Sequence, residues 1–213
     1  MANISAPEQL IKPFSYPAVF IDIINPVNHY RGKLLLLSGS SGSGKTSLCL
    51  QVIQSAQGPG LQVSGVVSPG LFVEDHKKAI MVQAVHSGET RLLATPINTA
   101  QEPDNASLRT PAWSFDPTAV AWGNQILTSS LPADLLIIDE LGPLEWLQNS
   151  GWTEAFPAID SRQYQLCLLV TRPELLEIAL SRWPDASVLS IASPQDAPSL
   201  HALIMSYLSG EDA

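Results

Sequence analysis

Three short segments of the chain are apolar without a break: the four leucines that follow Lys33 in Lys33–Leu37, Leu135–Ile138 and Leu166–Val170. A strand with one wet face alternates apolar and polar residues, so an unbroken run predicts a strand covered on both faces. Ala186–Ile191 also predicts a strand, and Val63–Val73 and Ala79–Val85 predict two more, joined by the polar link Glu74-Asp75-His76-Lys77-Lys78. Between these runs the apolar period lengthens to that of a helix. Thr46–Gln57 carries Leu48, Val52, Ile53 and Ala56 on one face and stops at Gly58-Pro59-Gly60.

Pro117–Leu131 predicts a helix with Asp116 as its N-cap and proline at the first position. Trp152–Ser161, Glu174–Trp183 and Ser199–Leu208 predict three more. Residues 95–116, rich in Pro, Asn, Thr and Ser, predict a long surface loop. Strands alternating with helices imply an α/β fold of three layers, a mainly parallel sheet flanked by helices. The length of 213 residues suits one domain over residues 31–213. The proline-rich residues 1–30 are expected to form an irregular N-terminal arm, with one edge strand at Ala18–Ile24.

The first strand runs into Gly39-Ser40-Ser41-Gly42-Ser43-Gly44-Lys45-Thr46, which matches G-x-x-x-x-G-K-[ST] between a buried strand and an amphipathic helix. Glycines allow positive φ and let backbone N–H groups approach phosphate oxygens. The helix start adds partial positive charge. Lys45 is expected to reach the β- and γ-phosphates of a nucleoside triphosphate, the Thr46 hydroxyl to ligate Mg²⁺, and Ser47 to reach the α-phosphate.

The strand Leu135–Ile138 delivers Asp139 and Glu140 at its carboxyl end. Asp139 is expected to support the metal through water. Glu140 is expected to orient or deprotonate an attacking water. Thr171, at the end of another predicted strand, is placed either to sense the γ-phosphate or to serve the following turn. Arg172 and Arg109 could lend charge to the transition state, although a surface ion pair is the better reading for Arg172. Trp113, Phe115 and Trp122 surround the long loop; packing in a core is favoured for them over stacking on a base.

Composition narrows the partners. A formal net charge of −9 with only 11 Lys and Arg, scattered along the chain, argues against nucleic acid. No apolar run approaches the about 18 residues of a membrane span, and the first residues show no basic segment followed by an apolar stretch, so neither a span nor a signal peptide is expected. Cys49 and Cys167 lie in apolar segments and are expected to be buried reduced thiols in a cytoplasmic protein. His29, His76, His86 and His201 are isolated and lack metal-ligand spacing.

The phosphate loop GSSGSGKTSL, the block VSGVVSPGLF…SGETRLLA and the strand end IIDELGPLEW occur together, with LLVTRPELLEIAL after them. In this combination the chain resembles the thermophile and cancer-related nucleoside-triphosphatase family over roughly residues 33–192. The resemblance implies a RecA-like P-loop fold and slow, Mg²⁺-dependent hydrolysis of ATP, GTP and other NTPs to NDP and phosphate. It assigns phosphate binding to Gly39–Thr46, metal support to Asp139 and water activation to Glu140. It departs at Leu71-Phe72-Val73-Glu74 and Lys78-Ala79-Ile80-Met81, where family members carry other residues.

A kinase on the same loop is the rival enzyme. Kinases typically close several arginines over the transferring phosphate, yet after Asp139 only Arg162, Arg172 and Arg182 remain, unclustered. An NTP-switched partner of an assembly or transport system is the non-enzymatic alternative and leaves room for a protein partner.

Overall fold

The structure is a computed structural model that describes residues 32–97 and 108–210. The predicted arm and its edge strand lie outside the described residues. The strands are β1 (Lys33–Ser38), β2 (Val63–Val67), β3 (Gly70–Val73), β4 (His76–Ala84), β5 (Thr90–Pro96), β6 (Leu108–Arg109), β7 (Trp113–Phe115), β8 (Ala133–Leu141), β9 (Tyr164–Thr171) and β10 (Ser187–Ser190). The helices are α1 (Lys45–Gln57), α2 (Pro117–Thr128), α3 (Pro143–Gln148), α4 (Ala155–Asp160), α5 (Leu176–Arg182) and α6 (Ala197–Ser209).

One sheet joins the strands in the order β10-β1-β9-β8-β2-β4-β5-β7-β6, with β3 paired to β4. The neighbours from β10 to β2 are parallel. The strands beyond β2 form an antiparallel extension. The unbroken apolar runs have the cause expected of them. Leu35 and Leu37 of β1, with Leu135 and Ile137 of β8, pack on the face that carries α1 and α6. Leu34, Leu36, Leu136 and Ile138 point the other way, into a core with residues of α2, α4 and α5. Each fully buried leucine is worth about 1.5–3 kcal/mol, and these positions are 0–1% exposed.

Several predicted bounds shift. The segment Val63–Val73 is two strands, because Ser68 and Pro69 interrupt it and β3 turns away to pair with β4 alone. The polar link His76-Lys77-Lys78 belongs to β4, whose first three residues are exposed. β5 and α3 have no counterpart in the sequence-based reading, and the predicted loop 95–116 contains β6 and β7, both short and at the sheet edge. The helix after Asp116 begins as predicted. Asp116 Oδ1 accepts from Thr118 N at 2.7 Å and Ala119 N at 3.3 Å, but the helix ends at Thr128. Arg172-Pro173 opens with a 3-10 turn, Pro173–Leu175, before α5.

Candidate active site

The phosphate loop is the turn between β1 and α1. A Cβ on Gly39 would strike the carbonyl oxygen of Ile191, which follows β10. Gly44 caps α1 with φ 99°, a left-handed conformation that favours glycine. Gly39, Ser40, Ser41, Gly42, Gly44, Lys45, Thr46 and Ser47 all line one cleft of about 560 Å³, while Ser43 is buried behind the loop. Lys45 Nζ donates to the carbonyls of Gly39 at 2.6 Å and Ser40 at 2.7 Å, so the ammonium sits inside the curve of the loop. Burial lowers its pKa, against the pull of Glu140 and Asp139.

β1 and β8 are neighbours of β9, not of each other. β9 therefore sets the spacing between the loop and the acidic strand end. Pairing of β8 with β9 slips between Ile138 and Leu141, where two residues of β8 stand opposite one of β9. The slip lies at Asp139 and Glu140, joined by a cis peptide. Asp139 is 3% exposed. Its Oδ2 accepts from Ser68 N at 3.2 Å, and Ser68 Oγ donates to its carbonyl at 2.5 Å. Burial pushes its carboxyl up to about 6, partly opposed by the Ser68 N–H and by the Thr46 hydroxyl. A buried carboxylate beside a hydroxyl at a phosphate loop fits Mg²⁺, which takes one or two carboxylates and completes its shell from phosphates and water. Among the described residues no cluster of three or more His, Cys, Asp or Glu could hold a metal by itself.

Glu140 lies in the same cleft, with Oε1 held by Arg172 Nε at 2.7 Å. Arg172 thus makes an ion pair, as favoured from sequence, and the pair is internal to the site. Thr171 is fully buried, does not line the cleft, and its hydroxyl has no hydrogen-bond partner among the described residues. Arg109 stands on β6 at the sheet edge and does not line the cleft. Trp113 and Phe115 pack against the core, as favoured from sequence, and their remaining surface lines the cleft. Trp122 packs against the same core and also carries the Arg91 guanidinium 4.2 Å from its ring centroid. Both cysteines are free and buried, and His201 pairs with Ser55 across α1 and α6.

Glu145 was not singled out from the sequence. Its Oε2 accepts from Gly142 N at 2.7 Å and its Oε1 from Trp152 N at 2.8 Å, so one carboxyl fixes both loops beside Glu140. Burial pushes it up to about 7. The signal was present in Gly142-Pro143-Leu144-Glu145, which places an acid at the third position of a proline-led helix. Replacing Glu145 with Ala leaves two buried N–H groups unpaired, each worth about 1–3 kcal/mol. Thermal denaturation is expected to show a lower Tm, and an unchanged Tm would contradict the bracing role.

The raised carboxyl of Asp139 has a defined sign. The folded state binds its proton more tightly than the unfolded chain, so charge burial costs stability above pH 6 and the cost vanishes below about pH 4. At pH 7 that cost is about 3 kcal/mol. Asp139→Asn keeps an oxygen for Ser68 N. Without nucleotide it is therefore expected to melt higher than wild type at pH 7, with a smaller difference at pH 5. A lower Tm at pH 7 would refute this.

A phosphate loop and an acidic strand end separated by one strand of a parallel sheet define a P-loop nucleoside triphosphatase. A family model described as NTPase matches residues 34–187. The nucleoside-triphosphatase THEP1 of Methanothermobacter thermautotrophicus is 30% identical over 144 residues, 68% of this chain and 79% of that protein. The THEP1 nucleoside-triphosphatase of Caldivirga maquilingensis is 26% identical over 153 residues, 70% and 77% of the two chains. The solution structure of a human cancer-related nucleoside triphosphatase superposes with a TM-score of 0.62 at 19% identity, over 82% of this chain and 98% of that one. THEP1 from the hyperthermophile Aquifex aeolicus gives 0.60 at 16%, with the same coverage. The chain belongs to this nucleoside-triphosphatase family. No helix among the described residues is long and apolar enough to cross a membrane.

Proposed function

We propose that the chain hydrolyses nucleoside triphosphates to the diphosphate and phosphate, slowly, with Mg²⁺ and with broad tolerance of the base. The observation that carries this reading is the sharing of one cleft by Gly39–Gly42 and Gly44–Thr46 of the loop, Asp139 and Glu140. The loop offers backbone N–H groups to the phosphates, which are common to all NTPs and carry no information about the base. Lys45 turns to the β- and γ-phosphates, and Ser47 to the α-phosphate. Thr46 and Asp139 would hold Mg²⁺, which supplies charge neutralisation at the phosphates when bound.

Glu140 positions the water and takes its proton. Arg172 holds its Oε1, and the second carboxylate oxygen is left for the water. Arg172 lines the same cleft and would lend its charge to the terminal phosphate. The test is phosphate release from ATP, GTP, CTP and UTP with and without Mg²⁺. Comparable Mg²⁺-dependent release from all four is expected. Release from none, or equal release without Mg²⁺, overturns the proposal.

A further inference from the structure

The two ends of the cleft differ in character. One end is the phosphate loop. The other is apolar, walled by Phe72 of β3, Ile80 of β4, Leu93 of β5, Trp113 and Phe115 of β7, and Trp152. Asp139 and Glu140 stand between the ends. In sheet order β1 lies two strands to one side of β8 and β7 four strands to the other, roughly 10 and 19 Å along the sheet at the usual strand spacing.

A triphosphate seated with Lys45 at its β- and γ-phosphates presents its terminal phosphorus to the carboxylates, and its sugar and base lie on the side away from them. The apolar wall then stands beyond the phosphorus, on the side from which an attacking oxygen must come in line. A water molecule needs no such wall. A molecule with a ring and a hydroxyl group does.

We infer that this apolar compartment is an acceptor subsite for a nucleoside, to whose hydroxyl the enzyme transfers the terminal phosphoryl group of an NTP. The inference rests on the hydrolase reading of the same loop and carboxylates. Trp113 and Phe115 point from the same face of β7, two residues apart. Lys77 Nζ lies 5.8 Å from the Trp113 ring centroid and 5.9 Å from that of Phe72, so two rings and an ammonium meet at the mouth of the compartment. A nucleobase stacked on such a ring gains about 1–3 kcal/mol.

The acceptor is a neutral nucleoside and not a nucleotide. Asp139, Glu140 and Glu145 line the cleft, Arg172 is engaged by Glu140, and Lys77 is the cation left on the acceptor side among the described lining residues. Arginines over the transferring phosphate are the kinase feature the sequence lacks in number, and here Lys45 and Arg172 line the cleft for that charge. A phosphorylated acceptor would need further cations, and a neutral alcohol needs none. In the step, the nucleoside hydroxyl gives its proton to the Glu140 carboxylate and its oxygen bonds to the γ-phosphorus. The bond from that phosphorus to the bridging oxygen breaks, and the NDP leaves with the electron pair. Water takes the same place when the compartment holds no nucleoside.

The experiment incubates the full chain with γ-labelled ATP and Mg²⁺, adding each common ribonucleoside and deoxyribonucleoside in turn, and separates the products. Label in a nucleoside monophosphate is expected with at least one of them. Trp113→Ala is expected to lower that transfer by about ten- to a hundredfold, Trp113→Phe to retain it, and both to release phosphate without nucleoside at the wild-type rate. Label in inorganic phosphate alone with every nucleoside overturns the inference. So does a raised KM for ATP in Trp113→Ala without nucleoside, which would assign the compartment to the base of the NTP itself. Phosphate release without nucleoside tests the hydrolase reading separately, so the two fail independently.

Discussion

Glu140→Gln is expected to keep nucleotide affinity and to lose hydrolysis by about two to four orders of magnitude, the usual worth of a positioned general base. The amide has the shape of the carboxyl but cannot take a proton. The loop and Lys45 are untouched, so the phosphates remain held. The ion pair with Arg172 is weakened, yet both partners are partly exposed, at 46% and 28% for the side chains. Such a pair contributes little to stability, and the variant is expected to fold and melt near wild type. Single-turnover phosphate release and equilibrium titration with a fluorescent ATP analogue separate the two effects. Hydrolysis at the wild-type rate would remove Glu140 from its role.

Lys45→Ala is expected to act on binding as well as rate. The ammonium is buried within the loop and held by the carbonyls of Gly39 and Ser40. A phosphate would offer it a charged acceptor in place of neutral ones. A charge-assisted contact of this kind is worth about 1.5–3 kcal/mol in the ground state. Its loss from the transition state costs about a hundred- to a thousandfold in turnover. The same two assays read both losses, and affinity equal to wild type would contradict the placement of Lys45 at the phosphates. The contrast between the variants is diagnostic: Glu140→Gln traps nucleotide, and Lys45→Ala fails to gather it.

Much of this site was legible before any coordinates, for reasons that can be located. The loop Gly39–Thr46 is contiguous, and its glycines and lysine are fixed by local backbone geometry. Asp139 and Glu140 follow an unbroken apolar run, so their delivery to the carboxyl end of a buried strand could be read from Leu135–Ile138 alone. Asp116 and Pro117 announced the start of α2 by local capping chemistry. Phe72, Lys77, Trp113 and Trp152 could not be read as one wall. They come from β3, β4, β7 and the loop before α4, and each alone looks like a surface or core residue.

The doubly covered parallel strands, the phosphate loop and the acidic strand end are written in the chain itself. Each depends on interactions within a few residues or on an apolar period visible along the chain. The folded sheet set β9 between the loop and the carboxylates, closed Arg172 on Glu140, and let Glu145 brace two loops at once. It also decided that the antiparallel extension would put an aromatic wall beyond the carboxylates. Those arrangements come from strand order and long-range pairing, where residues meet because the sheet brings them together and no local pattern records the meeting.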